Sequence, residues 1–212
     1  VNRLAVDEAR RRRRTFVAVT GIAGAGVLNA SLRSEADSPR FYGLTLGVAA
    51  IWAGGGRASG RVHRGRGASE PRAVVAPVLL GAGAFAGFYL AALVARRIPM
   101  LNGPITRLLG YAHEGSAGLV LFTTLANGAA EEIFFRGAVY DVIGERKVLV
   151  STALYSLTTI ATRNPALVLA SIVMGTIFGL QRRATGGVQA PILTHLTWSA
   201  LMLRFMPPLF KD

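Results

Sequence analysis

The apolar positions of the chain gather into seven runs divided by short polar or glycine-rich breaks. The first runs from Thr15 to Leu32, the second, rich in Gly and Ala, from Phe41 to Gly55, and the third from Ala73 to Ala95. The fourth covers Ser116 to Ile143, the fifth Val148 to Ala161, the sixth Ala166 to Leu180 and the seventh about Val188 to Phe205. About 20 consecutive apolar residues suffice for a helix to cross a bilayer. The breaks carry turn chemistry: Ser34 to Pro39, Asn164-Pro165, and Gly186-Gly187. Pro191 falls in the first turn of the seventh run, where a missing N–H does no harm. The pattern predicts an all-α fold, a polytopic transmembrane helical bundle of about seven spans. Residues 96–115 read as a connector with a short interfacial helix around Ile105 to Tyr111. Gly83 and Gly87, four apart in the third run, are expected to let two helix backbones approach closely.

Composition strengthens this reading. Hydrophobic residues make up 51% of the chain and charged residues 17%, with mean hydropathy +0.42, whereas soluble domains carry about 25% charged residues. The net charge of +13 would suggest nucleic acid in a soluble protein. Here the basic residues lie between apolar runs, so the expected partner is a bilayer with anionic headgroups, and nucleic acid is not expected. With no cysteine, disulfides, thiolate metal sites and cysteine nucleophiles are excluded. Arg10 to Arg14 precede the first run without a convincing small-residue cleavage site after it, so that run is expected to stay as an anchor. Segments on the N-terminal side hold 15 Lys and Arg against 8 on the other, which predicts a cytoplasmic N-terminus and an external C-terminus. The chain then divides into a basic cytoplasmic tail (1–14), N-terminal transmembrane helices with their loops (15–114), a core (115–205) and a C-terminal tail (206–212).

Candidate chemistry sits in the fourth run, at Glu131-Glu132-Ile133-Phe134-Phe135-Arg136. An ionisable residue at the centre of a membrane helix costs about 2.5–3.5 kcal/mol, so three unpaired ones would cost on the order of 8–10 kcal/mol. Glu132 and Arg136, four apart with the acid first, share a helix face and can pair. Glu131 lies about 100° round the helix and is free to point elsewhere. Three readings follow: an ion pair that fixes packing, a proton relay in a transporter, or Glu131 as general base for a water molecule. A partner for such a base should come from another helix. His195, about two turns into the seventh run, can reach the same cavity, with Ser199 four residues on and on the same face. Other hydrolase chemistries lack support. His113-Glu114 is not followed by a second histidine at zincin spacing, and no Gly-x-Ser-x-Gly elbow is present.

These residues resemble the CPBP family of intramembrane proteases, also called the Abi or Rce1-like type II CAAX prenyl endopeptidase family. Its first motif, Glu-Glu-x-x-x-Arg, is matched by Glu131, Glu132 and Arg136. Its second, Phe-x-x-x-His, falls on Phe178 to Arg182 with arginine in the histidine place. Its third, His-x-x-x-Asn, falls on His195 to Ser199 with serine last. The resemblance covers roughly residues 115–205. It implies a membrane-embedded endopeptidase acting on a membrane-associated peptide or protein in a prokaryotic plasma membrane. Glu131 would be the base, His195 an orienting or oxyanion-side residue, and Ser199 a weaker donor in place of asparagine. Family members have been called metalloproteases, and a mechanism without metal is also proposed for them. A divalent metal such as zinc would fall to Glu131 and His195; no other cofactor is implied. Catalytic zinc takes three protein ligands plus water, and Arg182 supplies none, while His63 lies in a loop and His113 on the opposite side. Arg182 could instead stabilise an oxyanion or bind a lipid phosphate. It is also the feature that favours the alternative reading, an inactive relative with a binding or immunity role.

Overall fold

The computed structural model describes residues 3–210, and among them there is no strand. The helices are α1 (Arg3–Ser31), α2 (Pro39–Ala58), α3 (Arg72–Ala95), α4 (Pro99–Glu114) and α5 (Ala117–Glu131). A π-helical segment (Glu132–Val139) follows α5 directly, then α6 (Tyr140–Val142), α7 (Lys147–Ile160), α8 (Pro165–Thr185), α9 (Gln189–Phe205) and a closing 3₁₀ turn (Pro207–Phe210). The result is a helical membrane bundle. Two of its helices, α3 with 24 residues and α8 with 21, are each long and apolar enough to cross a bilayer. Large apolar side chains face outward along the rods: Leu79, Leu90 and Val94 on α3, Leu149 and Leu157 on α7, Leu169 and Ile172 on α8. Water would make such a surface a liability; hydrocarbon does not.

Two faces are defined by the connections. At the N-terminal face, Arg14 Nε donates to Val142 O at 3.3 Å, tying α1 to the end of α6. The Gly/Arg-rich loop 59–71 lies at this face too, and it is not loose. Arg66 N–H donates to Thr185 O (2.8 Å), Val188 N–H to His63 O (2.9 Å) and Gln189 N–H to Arg64 O (3.1 Å). Gly187 permits that pairing, since a Cβ there would stand 2.1 Å from Arg64 C. Local composition does not mark this pairing, because the partner lies more than a hundred residues away.

At the opposite face, the connector expected around Ile105 to Tyr111 is a 16-residue helix, α4, with Pro99 at its first position. It straps the bundle: Tyr111 OH donates to Leu32 O at 2.8 Å, and Asn164 Nδ2 to Pro104 O at 2.9 Å. Ala92, Leu109, Met206 and Phe210 bury together beneath it. Asp37, in the α1–α2 turn, accepts from Tyr42 OH (2.7 Å) and Ser116 N–H (3.0 Å). Those two donors hold its carboxyl below the ordinary aspartate value.

The helix that carries the first apolar run begins well before Thr15. Arginine, alanine and leucine are good helix formers, and α1 continues back through Arg10 to Arg14 for about three turns. The main core joins α1, α2 and the π segment through Val17, Val48, Trp52, Phe134, Phe135, Val139 and Tyr155. Seen along its axis, the π segment is buried on every side: none of its eight residues is exposed. Close approach on α3 occurs at Gly81, where a Cβ would meet Thr194 O at 2.7 Å, and not at Gly83 or Gly87, which have nothing within 4 Å. Spacing marks small residues on a helix; it does not mark which of them meets a neighbour.

Candidate active site

The π segment is where the charges enter the core. Its wider turn, closed by i→i+5 bonds, begins at Glu132 and carries Glu132 and Arg136 into the interior, both fully buried. Arg136 Nη1 donates to Glu132 Oε1 at 3.3 Å and Nη2 to Gly175 O of α8 at 3.1 Å. Its guanidinium also lies over the Tyr155 ring, 4.7 Å from the centroid, and the Phe178 ring at 5.1 Å. A buried ion pair is favourable only when its remaining polar capacity is met; here a carbonyl and two aromatic faces do most of that. Gly175 makes room, since a Cβ there would sit 3.1 Å from Nη2.

His195, on α9, closes on the same carboxylate. Its Nδ1 is 3.0 Å from Glu132 Oε1, across 63 residues of sequence. The imidazole stacks on Phe178, with ring centroids 4.8 Å apart and planes within 20°. Gly128 of α5 faces it, where a Cβ would stand 3.3 Å from the ring. A buried carboxylate already paired with arginine is an acceptor, so Nδ1 carries the proton and donates to it. Nε2 faces Glu131 Oε2.

Glu131 has a different environment from its neighbour. Tyr155 OH donates to its Oε2 at 2.6 Å, and the same oxygen is 4.0 Å from His195 Nε2. Its side chain retains 15% exposure, against 0% for Glu132. Other polar atoms are buried nearby on these helices without a partner: Asn127 Oδ1 one turn before Glu131, Glu132 Oε2, Thr152 Oγ1 and the Trp198 indole N–H. Buried polar atoms are nearly always satisfied by protein or by ordered water, so this cluster is suited to water. Trp198 tilts against the imidazole with centroids 6.0 Å apart.

The remaining sequence candidates lie in different places. Ser199 is buried one turn beyond His195, and among the described residues no hydrogen bond joins it to Glu131, Glu132 or His195. Arg182 turns toward the N-terminal face. Its Nε donates to Arg136 O at 2.6 Å, its Nη2 to Asp141 Oδ1 at 2.9 Å, and it lies over the Tyr140 ring at 5.2 Å. Gln181 donates to Thr194 Oγ1 at 2.7 Å. His113 lies at the opposite face against Pro207 O. Tyr155, Asp141, Gly128 and Gly175 escaped the sequence reading. Tyrosine in an apolar run and glycine in a helix are too common to single out, and each acts here only through a contact made by another helix.

Among the described residues no three His, Asp or Glu side chains converge as a metal-binding group. Glu131 and His195 Nε2 offer two donors. Arg136 and His195 Nδ1 both engage Glu132 Oε1, its Oε2 does not complete a metal-binding group with them, and the arginine in the third histidine's place is a cation. That donor set does not fit a catalytic zinc, which takes three protein ligands.

No curated protein and no solved structure matches the chain. Residues 113–201, which hold Glu131, Glu132, Arg136, Arg182, His195 and Ser199, match the family of Rce1-like type II CAAX prenyl endopeptidases.

Proposed function

We propose that this chain is a membrane-embedded endopeptidase in which Glu131 activates water to hydrolyse a peptide bond of a membrane-associated substrate. One observation carries the reading. Two adjacent glutamates are given opposite environments, Glu132 sealed by Arg136 and His195, and Glu131 left partly exposed with its oxygen 4.0 Å from His195 Nε2. The family match supports an endopeptidase of this class.

With a neutral imidazole protonated on Nδ1 and Glu131 as carboxylate, both atoms across that gap accept, and a donor between them satisfies both. Two hydrogen bonds of about 2.8 Å span 4.0 Å with an angle of about 90° at the bridging atom, close to the shape of water. A water there would donate one O–H to Glu131 and one to His195. Glu131 would take its proton as the oxygen attacks the substrate carbonyl. The C–N bond then breaks as that proton passes to the leaving amine. Tyr155, donating to Glu131 Oε2, aims the carboxylate. Glu132 and Arg136 act at one remove, holding His195 in the tautomer that leaves Nε2 open. Trp198 N–H, buried and unpartnered on the helix that carries His195, is a spare donor for an oxyanion. Arg182 acts as an anchor between α8 and the α6 end. Ser199 supports the His195 turn. The basic N-terminal face would lie in the cytoplasm of a prokaryotic cell.

The reading is tested by reconstituting the protein in nanodiscs with a quenched-fluorescence peptide library. Cleavage is expected, with Glu131→Gln losing at least about a hundredfold, in line with loss of a general base. Equal cleavage by wild type and variant would remove Glu131 from the chemistry. A second reading, an inactive binding protein, is favoured by Arg182, whose guanidinium is committed to Asp141 and Arg136 O and offers nothing to the Glu131–His195 gap. It predicts no cleavage of any peptide by wild type or by Arg182→His.

A further inference from the structure

Away from this site, the N-terminal face holds a cavity of about 260 Å³ lined by Arg10, Arg13 and Arg14 of α1 and by Asp141 to Gly144 after the π segment. Its volume is that of roughly eight or nine waters. We infer that it is a binding site for a phosphate group, carried by an acidic phospholipid headgroup or free in solution.

Charge and geometry carry the inference. Arg10 and, one turn on, Arg13 and Arg14 share a face of α1 and line a pocket whose lining holds a single acid, Asp141. That acid is already taken: Asp141 Oδ1 accepts from Arg182 at 2.9 Å, and Oδ2 lies 3.8 Å from Arg13. Arg14 spends its Nε on Val142 O, which turns its side chain toward the pocket. Arg13 Nε is buried with no partner. Arg12 is different, since it is satisfied by Glu8 four residues before it. Arg11 and Arg12 do not line the pocket. Three of the five consecutive arginines therefore do. The planar guanidinium fork matches phosphate oxygens bidentately. The pocket lies at the basic N-terminal face, and clustered arginines beside a bilayer attract anionic headgroups.

The site is tested on detergent-solubilised full-length protein by following thermal unfolding against three probes: dihexanoyl phosphatidylglycerol, dihexanoyl phosphatidylcholine and inorganic phosphate. Two variants with the same loss of charge are compared, R13Q/R14Q and R11Q/R12Q. Wild type and R11Q/R12Q are expected to be stabilised by phosphatidylglycerol, with R13Q/R14Q binding at least about tenfold more weakly, since each charge-assisted hydrogen bond is worth about that factor. Stabilisation by inorganic phosphate with the same variant dependence identifies free phosphate as the source; stabilisation by the phospholipid alone identifies the headgroup. Should R13Q/R14Q fail to fold, Asp141→Asn provides the second readout, because removing the competing acid is expected to tighten phosphate binding. Equal weakening in both paired variants, no anion dependence in wild type, or unchanged binding in Asp141→Asn would each overturn the assignment. Peptide cleavage enters none of these measurements, so the outcome is independent of the peptidase reading.

Discussion

Replacing Arg136 by methionine removes one charge from a pair that no solvent reaches. The Glu132–Arg136 separation of 3.3 Å corresponds to a Coulomb attraction of about 5 kcal/mol at an effective dielectric of about 20. Breaking a buried pair by deleting one partner typically costs about 3–5 kcal/mol, because the other charge is stranded. Arg136→Met is therefore expected to destabilise by that amount, leaving the Glu132 carboxylate with His195 alone. Glu132→Gln should cost less. The stranded guanidinium keeps Gly175 O at 3.1 Å and two aromatic faces, and the glutamine carbonyl can still accept from His195 Nδ1. In the double variant E132Q/R136M no charge is stranded, so a double-mutant cycle should give a coupling of about 2–3 kcal/mol. Unfolding in mixed micelles by added dodecyl sulfate, followed through the fluorescence of the two tryptophans, measures all four corners. If Arg136→Met costs under about 1 kcal/mol and the coupling is near zero, Glu132 is not held as a charged partner and the tautomer assigned to His195 loses its basis.

Tyr155→Phe deletes the 2.6 Å hydrogen bond to Glu131; peptidase activity should fall about tenfold or more while stability changes by only about 0.5–1.5 kcal/mol, and a drop in stability with no change in activity would contradict an aiming role. Gly128→Val would press a branched side chain against the imidazole, where a Cβ alone already stands at 3.3 Å; turnover should be lost in a protein that still folds, and wild-type turnover would show that the imidazole position is not critical. The Asp37 clasp gives a pH signature. Its carboxyl is held below the ordinary value by Tyr42 OH and Ser116 N–H, so its contribution is complete above the unfolded-state pKa and disappears as pH falls through the lower folded-state value. The protection factor of the Ser116 amide should fall across that acid window in wild type, and a pH-independent difference between wild type and Asp37→Ser would exclude the carboxylate as its source.

How much of this could be read from the chain alone is clearest from single residues. The Glu132–Arg136 contact is local: four residues apart on one turn, it follows from helical spacing. The helical membrane character follows from the apolar runs, because backbone groups in hydrocarbon must be satisfied within the helix itself. Arg182 shows the limit. The sequence registers that an arginine stands where the related family has a histidine, but not that its side chain runs to Asp141 and Arg136 O rather than to Glu131. The same holds for Gly81 against Gly83, and for the loop 59–71, whose partners follow it by more than a hundred residues.

By itself, then, the sequence determined the class of fold and which residues are costly enough to need partners in lipid. Tertiary structure decided which partners they find on other helices. It gave Glu132 to His195, turned Tyr155 toward Glu131, and left one carboxylate of an adjacent pair within reach of water. The reason is physical: burial and charge are properties of each residue, whereas contacts between helices depend on rotation and crossing, which small residues and π-helical widening set at positions that periodicity does not mark.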